Sequence, residues 1–328
     1  MLMADRPIVS TKSAPIESAP NHLLRWEAHA CLPLHPQVSL SPLLRYLESG
    51  VSYISVNVGM DMNPLPQVMR VLAHLRETIN QHPRLVLAGS ISEIRTAAER
   101  GLLSVGFDLE GALPLLESPA MVSLYRALGV RQMHLAYNRN NSIAGGCHDH
   151  PQGLTALGRE VVTSMNQAGI LVDCAHMSER ASLELIECSE SPVIVSHANP
   201  ASLVTHQRNM SDVMIDQIAE GGGVICLTGV NLFLGEAHPR LETLLDHLCY
   251  VAERAGPSYV GIGLDISFSQ EGVDDTPPDD VFLGEYDPNR WWPSSAGYQG
   301  GLSEIMYLPP ETWRSLPAAL ERRGFNQE

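Results

Sequence analysis

Six residues of the types that bind metals or move protons occur at the ends of short apolar stretches of the sequence. They are His29, Cys31, Glu110, His176, His197 and Asp265. Neutral imidazole, thiolate and carboxylate are the donors that Zn²⁺ prefers in proteins. A single histidine in such a place is more often a cap or a residue at the edge of the core, but several of them together are harder to dismiss. The pattern therefore predicts a metal site, provided that the fold brings these stretches together.

The stretches that carry these residues alternate with helical patterns along the chain. Strand-like runs cover 24–28, 53–58, 103–108, 131–136, 170–174, 193–196, 223–228 and 259–264, with a further short run at 84–87. Helical patterns cover 41–48, 66–80, 92–100, 119–128, 155–167, 179–187, 212–220 and 241–254. Alternation of this kind predicts parallel strands that are joined by helical crossovers.

Eight strand–helix units favour a closed (β/α)8 TIM barrel over a doubly wound α/β sheet, which would usually have fewer strands. The sequence also lacks the GxGxxG and Walker phosphate-binding patterns. Side chains at the carboxyl ends of barrel strands converge on one mouth. His29 and Cys31 follow the first predicted strand and, being two apart, face the same side. The other four candidates follow the third, fifth, sixth and eighth strands, so the predicted barrel brings them together.

The composition excludes several classes of partner. The 328 residues carry a formal net charge of -16, which argues against nucleic acid and against anionic membranes, since both need clustered Lys and Arg. The 6 cysteines form no CxxC pair, and neither a signal peptide nor a stretch long enough to span a membrane is present. We therefore expect a cytoplasmic protein that acts on a small molecule.

We expect one barrel domain over residues 22–328, preceded by an irregular leader at 1–21. A long segment at 266–302 is rich in Asp, Pro, Gly and Trp, and it is either a lid over the mouth or an ordinary excursion. Its aromatic residues Trp291, Trp292 and Tyr298 either line a cleft or pack simply against the barrel.

Five successive segments resemble the signatures of the renal or membrane dipeptidase family, peptidase family M19, in the family's order and spacing. They are WEAHACLP, VGFDLEGA, GLTALGREVVTSMNQAGILVDCAHMS, PVIVSHANPASLVTHQRNMSD and YVGIGLDIS. The resemblance implies a barrel of the metal-dependent amidohydrolase type with two zinc ions bridged by a glutamate. It also implies the hydrolysis of dipeptides that have free amino and carboxyl termini, and it suggests a homodimer.

The family's metal ligands can be assigned position by position. His29 resembles the histidine of the first metal, and Glu110 resembles the carboxylate that bridges both metals. His176 and His197 match the two histidines of the second metal. The resemblance therefore implies one or two Zn²⁺ per chain.

The residues that act on the substrate are assigned in the same way. Asp265 stands where the family has the aspartate that manages the proton of the attacking water. In HQRN, Arg208 resembles the arginine that grips the substrate carboxylate, which suits a guanidinium fork. We assign the adjacent Asn209 to substrate binding as well.

Two positions depart from the family pattern. The first strand has His-x-Cys where the family has His-x-Asp, so Cys31 either ligates the first metal or leaves that metal weakly held or absent. Tyr137, in MHLAYNRNN, replaces a histidine that polarises the substrate carbonyl; a phenol can donate a hydrogen bond to an oxyanion, or Tyr137 merely packs at the rim. His134 is expected on the opposite face of its strand and is a poor substitute. These departures favour an alternative, a barrel with a degenerate metal site that is a non-peptidase amidohydrolase or a non-catalytic binding protein.

Three further features are open at this stage. Cys147, His148 and His150, in GGCHDHP, have the composition of a metal site but lie in a predicted loop. Asp61 and Asn63 follow the second strand and are expected to shape the mouth. Members of the family usually continue beyond the point where this sequence ends, so we expect a shortened or truncated C-terminus.

Overall fold

The computed structural model describes residues 23–273, 287–298 and 302–325, and its centre is a closed parallel barrel. The strands are β1 Trp26–Cys31, β2 Tyr53–Met60, β3 Leu85–Leu87, β4 Leu103–Glu110, β5 Val130–His134, β6 Leu171–Asp173, β7 Ile194–Val195, β8 Val224–Leu227, β9 Val260–Ile262 and β10 Ile266–Ser267. Eight of them form the ring in the order β1-β2-β4-β5-β6-β7-β8-β9, and β9 pairs back onto β1 through Ile262 and Glu27. The predicted (β/α)8 barrel is confirmed.

Two strands add to the ring without interrupting it. β3 pairs with the first half of β4, from Leu85 opposite Leu103, whereas β5 pairs with β4 only from Phe107 onward. β10 pairs with the end of β1, where Ser267 lies opposite Cys31. The run predicted at 84–87 is thus a strand outside the barrel, and the segment predicted as a loop from residue 266 begins with a strand.

Helices cover the outside of the barrel. They are α1 Ser41–Glu48, α2 Leu65–Gln81, α3 Ile91–Glu99, α4 Met121–Leu128, α5 Ala156–Ala168, α6 Glu179–Cys188, α7 Asp212–Glu220, α8 Asn231–Leu234, α9 Leu241–Ala255, α10 Pro288–Trp291 and α11 Thr312–Arg322. The eight predicted helices are α1–α7 and α9, and each end lies within two residues of the prediction. None of the helices in the described ranges is both long and apolar enough to cross a membrane.

The starts of several helices follow from local capping. The side chains of Ser90, Thr155, Ser178 and Ser211 each accept a hydrogen bond from a backbone amide of the first turn of α3, α5, α6 and α7. Such caps satisfy donors that the helix itself leaves free. They fix where the chain turns from each loop into the outer layer.

The first strand was predicted too early in the sequence. The predicted run ends at Ala28, but β1 extends from Trp26 to Cys31, so His29 and Cys31 lie inside the strand rather than after it. Their side chains are buried beside polar groups of other strands, Asp108 and Glu110 of β4 and Asn57 of β2, which an apolarity pattern does not register. The predicted leader at 1–21 lies outside the described residues, as do 274–286 and 299–301 of the segment 266–302.

Candidate metal centre and substrate site

The six candidate residues converge at the carboxyl end of the barrel. His29 and Cys31 end β1, and Glu110 is the last residue of β4. His176, His197 and Asp265 lie two or three residues beyond β6, β7 and β9, respectively. Strand direction alone therefore brings five separate parts of the chain to one point.

Glu110 lies at the centre of this group. Its Oε1 lies 3.0 Å from His176 Nε2, 3.4 Å from His29 Nε2 and 3.6 Å from His197 Nε2. Its Oε2 lies 3.7 Å from Cys31 Sγ and accepts a hydrogen bond from Asn57. A carboxylate with imidazoles around one oxygen and a thiol beside the other is placed as a bridging ligand would be.

The inward-facing nitrogen of His176 carries a lone pair. His176 Nδ1 lies 2.7 Å from Asn138 Oδ1, which only accepts, so the ring hydrogen belongs on Nδ1. Arg208 Nη2, which only donates, lies 3.2 Å from the same ring's Nε2. His197 Nε2 lies 2.8 Å from His176 Nε2, while its Nδ1 lies 2.7 Å from Ser196 Oγ. Two inward-facing nitrogens at this distance, beside a carboxylate, fit a cation between them.

Burial and nearby charges shift the pKa values of these groups in different directions. Burial, with the charges of Arg208 and His29, holds the pKa values of His176 and His197 well below the usual range, so both rings are neutral. Burial raises the pKa of Glu110, although His29 opposes the shift. Burial would lower the pKa of His29, but Asp108 and Glu110 outweigh it and raise that pKa well above the usual range. His29 is thus held by two carboxylates in the absence of a cation.

Backbone strain is concentrated at the same place. Asn138, His176 and Asp265 have φ angles of 57°, 66° and 59°. Residues other than glycine rarely adopt this left-handed region, and they do so mainly where a function requires it. The strain points the side chains of His176 and Asp265 toward the barrel axis, where Asp265 Oδ1 lies 3.7 Å from His29 Nε2.

Arg208 reaches the site from the loop after β7. It is buried, and its Nη2 donates to His197 O at 3.1 Å as well as to His176. Its Nε has no hydrogen-bond partner among the described residues, and its guanidinium lies 5.3 Å from the ring centre of Phe233. The guanidinium therefore keeps donors for a ligand.

Asn209 does not reach the site. Its amide nitrogen donates to Val204 O at 2.8 Å and Phe233 O at 3.0 Å, and its oxygen accepts from the backbone amide of Asn199. These bonds brace the loop that carries Arg208. Asn209 is also absent from the lining of the small cavity above Glu110.

Tyr137 forms one wall of that cavity, which has a volume of about 50 Å³. Its ring stacks on His176 with centroids 4.3 Å apart, and its hydroxyl accepts a hydrogen bond from Trp292 Nε1 at 3.0 Å. Burial keeps the pKa of Tyr137 well above its usual range, so the phenol stays protonated. Because the indole supplies a hydrogen to the oxygen, the phenol's own hydrogen is free to point into the cavity.

The sequence matches the membrane dipeptidase family, peptidase family M19, over residues 34–279. The chain belongs to this family. Dipeptidase verJ of Clonostachys rogersoniana is 32% identical over 209 residues, which are 62% of this chain and 54% of that protein. Dipeptidase tcpJ of Claviceps purpurea is 29% identical over 187 residues, which are 56% of this chain and 44% of that protein. The chain thus spans about half the length of these curated relatives.

Solved structures share the fold at low sequence identity. An amidohydrolase from Pseudomonas aeruginosa has a TM-score of 0.78 at 22% identity and covers 92% of this chain and 90% of its own. A metallo peptidase from Rhodobacter sphaeroides, bound to a phosphinate mimic of L-Ala-D-Ala, has a TM-score of 0.73 at 18% identity, with coverages of 94% and 95%. The family match confirms the predicted family, and the solved structures confirm the fold.

Beneath the candidate metal ligands lies a layer of polar side chains that the sequence reasoning missed. Asp108 Oδ1 lies 3.3 Å from His29 Nδ1, and Asp108 Oδ2 accepts from Ser55 Oγ at 2.7 Å. Asn57 donates to Glu110 and contacts Cys31 Sγ at 3.7 Å. A signal was present in VGFDLE, since a carboxylate inside an apolar strand is rarely buried without a partner.

The prediction for His134 was wrong. It does not lie on the outer face of β5 but is fully buried inside the barrel, where its Nε2 lies 2.8 Å from Asp173 Oδ2 and 3.2 Å from Ser196 Oγ. Burial would lower the pKa of His134, but Asp173 outweighs it and raises that pKa. Because Ser196 also contacts His197, this pair supports a metal-ligand histidine from below.

Asp61 and Asn63, which follow β2, shape the mouth by accepting hydrogen bonds from backbone amides. Asp61 accepts hydrogen bonds at 2.9 Å from the backbone amides of Leu113 and Tyr137 and from Asn141. Burial raises the pKa of Asp61 to about 6. Asn63 accepts from the amide of Met60 at 2.8 Å. Asp61 therefore holds Tyr137 in place.

The GGCHDHP segment is not part of a metal-binding group in the described part of the chain. His148 lies 2.9 Å from Gln207 Oε1 and 3.4 Å from the hydroxyl of Tyr298, and Cys147 contacts Asn138 Oδ1. These contacts join the loop after β5 to the rim segment at 287–298.

Proposed function

We propose that this protein is a zinc-dependent dipeptidase, or a close relative that cleaves another small amide with a free carboxylate. The observation that carries the proposal is the convergence of three histidines on the carboxylate of Glu110. The histidines are His29, His176 and His197. Asp265 and Arg208 at the same cavity add a proton carrier and a carboxylate clamp. A scaffold that only bound a metal would need neither.

The donor set fits a pair of zinc ions. His29, Cys31 and Asp265 place donor atoms within 4.8 Å of one another, and so do His29, Glu110 and His197. Nitrogen, sulfur and carboxylate oxygen are the donors that suit zinc. In our proposal His176, His197 and Glu110 hold one ion, and Glu110, His29 and Cys31 hold the other. The chemistry that zinc supplies at such a site is the acidification of water and the polarisation of a carbonyl.

The chain's own residues then handle the proton and the developing charge. Asp265 accepts the proton of the attacking water at its carboxylate and returns it to the leaving nitrogen, as a general base and then a general acid. Tyr137 remains a neutral phenol and donates its hydrogen to the oxyanion. The bond from Trp292 to the phenol oxygen fixes the direction of that hydrogen.

Arg208 would anchor the substrate through its terminal carboxylate. The guanidinium is buried, lacks a carboxylate partner among the described residues, and leaves Nε unpaired. A fork of N–H donors matches a carboxylate in a bidentate way. In our proposal the clamp sets the requirement for a free C-terminus.

The test compares dipeptides with their C-terminal amides in zinc-loaded protein. Arg208→Ala should raise KM for the free acid by about 30-fold or more, because truncating a buried charged pair costs roughly 2–5 kcal/mol. It should change KM for the amide little. Asn209→Ala is a control, because its side chain braces the same loop without reaching the cavity. Equal effects of Arg208→Ala on acid and amide would remove Arg208 from the proposed role.

One alternative is favoured by specific residues, Cys31 and Tyr137, which differ from the family pattern. A degenerate site of this kind would make the protein a non-peptidase amidohydrolase or a binding protein. Zinc content per chain, measured together with dipeptide hydrolysis, separates the two. Full zinc loading without turnover of any dipeptide would favour the alternative.

A further inference from the structure

Three arginines surround a second cavity, of about 390 Å³, on the outside of the barrel between α2, α3 and α4. Arg76 comes from α2, Arg126 from α4, and Arg131 from β5. The cavity also touches Val105 in β4, which lies five residues before Glu110, or about 16 Å along a strand. It is therefore separate from the catalytic mouth.

None of the three guanidiniums has a carboxylate partner within 4.0 Å in the described part of the chain. Within the described residues their side chains donate to backbone carbonyls: Arg76 to Leu128, Arg126 to Ala168 and Gly89, and Arg131 to Arg126 and Val130. The lack of carboxylate partners for these arginines among the described residues is unusual, because the chain has 37 acidic and only 21 basic residues.

The carbonyl contacts do not neutralise the cluster. Two of them are at the carboxyl end of α4 and one, at Ala168, is at the carboxyl end of α5. Each helix end carries a partial charge of about -0.5, against three full positive charges. Arg131 Nε is buried and has no hydrogen-bond partner among the described residues. Burial and then the charge of Arg126 lower the pKa of Arg131, so the arginines repel one another as they stand.

The cavity wall is shaped around these groups. A Cβ atom at Gly89 would lie 2.5 Å from Arg131 Nη2, and one at Gly129 would lie 3.2 Å from Arg76 Nη1. Glu93, the acidic residue at this cavity, accepts a hydrogen bond from the amide of Gly89 at 2.7 Å and so helps to cap α3. It does not pair with a guanidinium within 4.0 Å. Glycine at these positions leaves room for the guanidiniums beside the opening.

We propose that this cavity binds a small multivalent anion, a phosphate or a polycarboxylate, through Arg76, Arg126 and Arg131. Guanidinium forks match the oxygens of both groups, and a ligand with two or more charges offsets a repulsion that the chain itself leaves. The proposal does not depend on the dipeptidase assignment, since the two sites lie at different ends of β4.

The experiment titrates the zinc-loaded full-length protein with inorganic phosphate and with citrate by calorimetry, at constant ionic strength, with acetate as the monovalent comparison. One of the two should bind at one equivalent per chain. Arg126→Gln and Arg131→Gln should each weaken binding by about tenfold or more. Arg314→Gln is the matched control, because Arg314 also donates to a backbone carbonyl, Glu48 O at 3.0 Å, away from the cavity.

Two further variants make the result decisive. Binding should persist in Arg208→Ala, which separates this cavity from the substrate clamp and from the fate of the proposed function. Arg131→Lys keeps the positive charge but lacks the paired N–H donors of a guanidinium, and it replaces a glutamine variant that fails to fold. This variant should bind the anion more weakly than the wild type. No saturable binding by the wild type, or equal affinities across the arginine variants and the control, would overturn the proposal.

Discussion

Cys31 occupies the position at which the family has an aspartate, and it lies beside two of the proposed ligands. Its sulfur lies 3.3 Å from His29 Nε2 and 3.7 Å from Glu110 Oε2. Burial, with the charge of Glu110, raises the pKa of Cys31 to about 12, so the thiol is protonated when no cation is near. A metal ion reverses this balance because a coordinating thiol loses its proton. Metal binding at this position should therefore release a proton.

Cobalt substitution tests whether Cys31 ligates. The Co²⁺-loaded protein should show a thiolate-to-metal charge-transfer band in the near ultraviolet, and Cys31→Ser should lack it. Cys188→Ser is the control, because Cys188 is on α6 and away from the site. A band of unchanged intensity in Cys31→Ser would show that the thiol only lines the site.

Asp265 should separate catalysis from metal binding. Asp265→Asn should keep its zinc and bind substrate nearly normally, yet lose kcat by about 10²–10⁴-fold, because the proton carrier is gone. Burial raises the pKa of Asp265 to about 7 without a cation, and a bound cation lowers it from there. Activity should therefore fall as the pH drops and the carboxylate gains a proton. Zinc analysis with pH–rate profiles would check this, and wild-type turnover by a zinc-replete Asn variant would contradict it.

The sequence could predict the residues of the site that have a recognisable chemical type at a strand end, such as Glu110 and His197. It could not predict the buried layer below them. Whether His134 meets Asp173 depends on the neighbouring strand, and a pattern along β5 holds no information about that neighbour. The side-chain direction of His134 was misjudged for the same reason.

At the scale of elements, the rim segment at 287–298 contacts Tyr137, the proposed donor to the oxyanion. Trp292 reaches over the mouth to Tyr137, and Asn138 Nδ2 donates to Trp291 O at 3.1 Å. The described part of the segment predicted as a lid or an excursion thus lies at the cavity, where Trp292 and Tyr298 form part of its wall.

Trp292→Phe should lower kcat more than it raises KM, because it keeps the ring but removes the hydrogen bond that directs the phenol. The loss should be about tenfold, the size of one hydrogen bond. Trp291→Phe, at the neighbouring residue that ends α10, is the matched control. If Tyr137→Phe lowers kcat and Trp292→Phe has no further effect in that background, the two residues act through one contact; additive losses would contradict this.

A buried carboxyl group of β1 holds helix α11 against the barrel. Glu27 in β1 accepts hydrogen bonds from the amide of Leu264 at 2.7 Å and from Trp313 Nε1 of α11 at 2.8 Å. Burial raises the pKa of Glu27 to about 8. The folded protein therefore keeps a proton that the unfolded chain releases at lower pH, so the contribution of Glu27 to stability declines as pH rises toward about 8.

Glu27→Gln removes this pH dependence while it keeps the shape of the side chain. Relative to the wild type, the variant should gain stability with rising pH, by roughly 1 kcal/mol per pH unit up to about pH 8. Denaturant unfolding of the metal-free protein at about pH 6 and about pH 8.5 measures the difference. Glu253→Gln, on the exposed face of α9, controls for the loss of a charge, and parallel pH slopes for Glu27→Gln and wild type would contradict the account.

Most elements followed from periodicity, and those missed have physical reasons. α8 and α10 have 4 residues each, too few for a helical period, and α11 contains Pro317. β10 has only 2 residues and exists because β1 offers a free stretch beside it. The end of β1 was predicted too early, at Ala28, because the polar His29 follows the apolar run.

For the whole molecule, the two ends of the barrel carry different chemistry. The carboxyl end collects imidazoles, a thiol and carboxylates, and the cavity outside β4 collects three guanidiniums in a chain of net charge -16. A cytoplasmic location and a homodimer stay predictions from the sequence. The proposed function depends on the binding of metal ions at the carboxyl end of the barrel.

Anomalous X-ray diffraction at the zinc edge, from crystals grown with zinc, tests this claim most directly. We expect an anomalous peak about 2.0–2.1 Å from both His176 Nε2 and His197 Nε2. The zinc ion at this peak should also be bound by Glu110. A second peak should lie beside His29 and Cys31. Zinc found only at the surface or at His148 would contradict this claim. In that case His29, Glu110, His176 and His197 would still be in contact with one another.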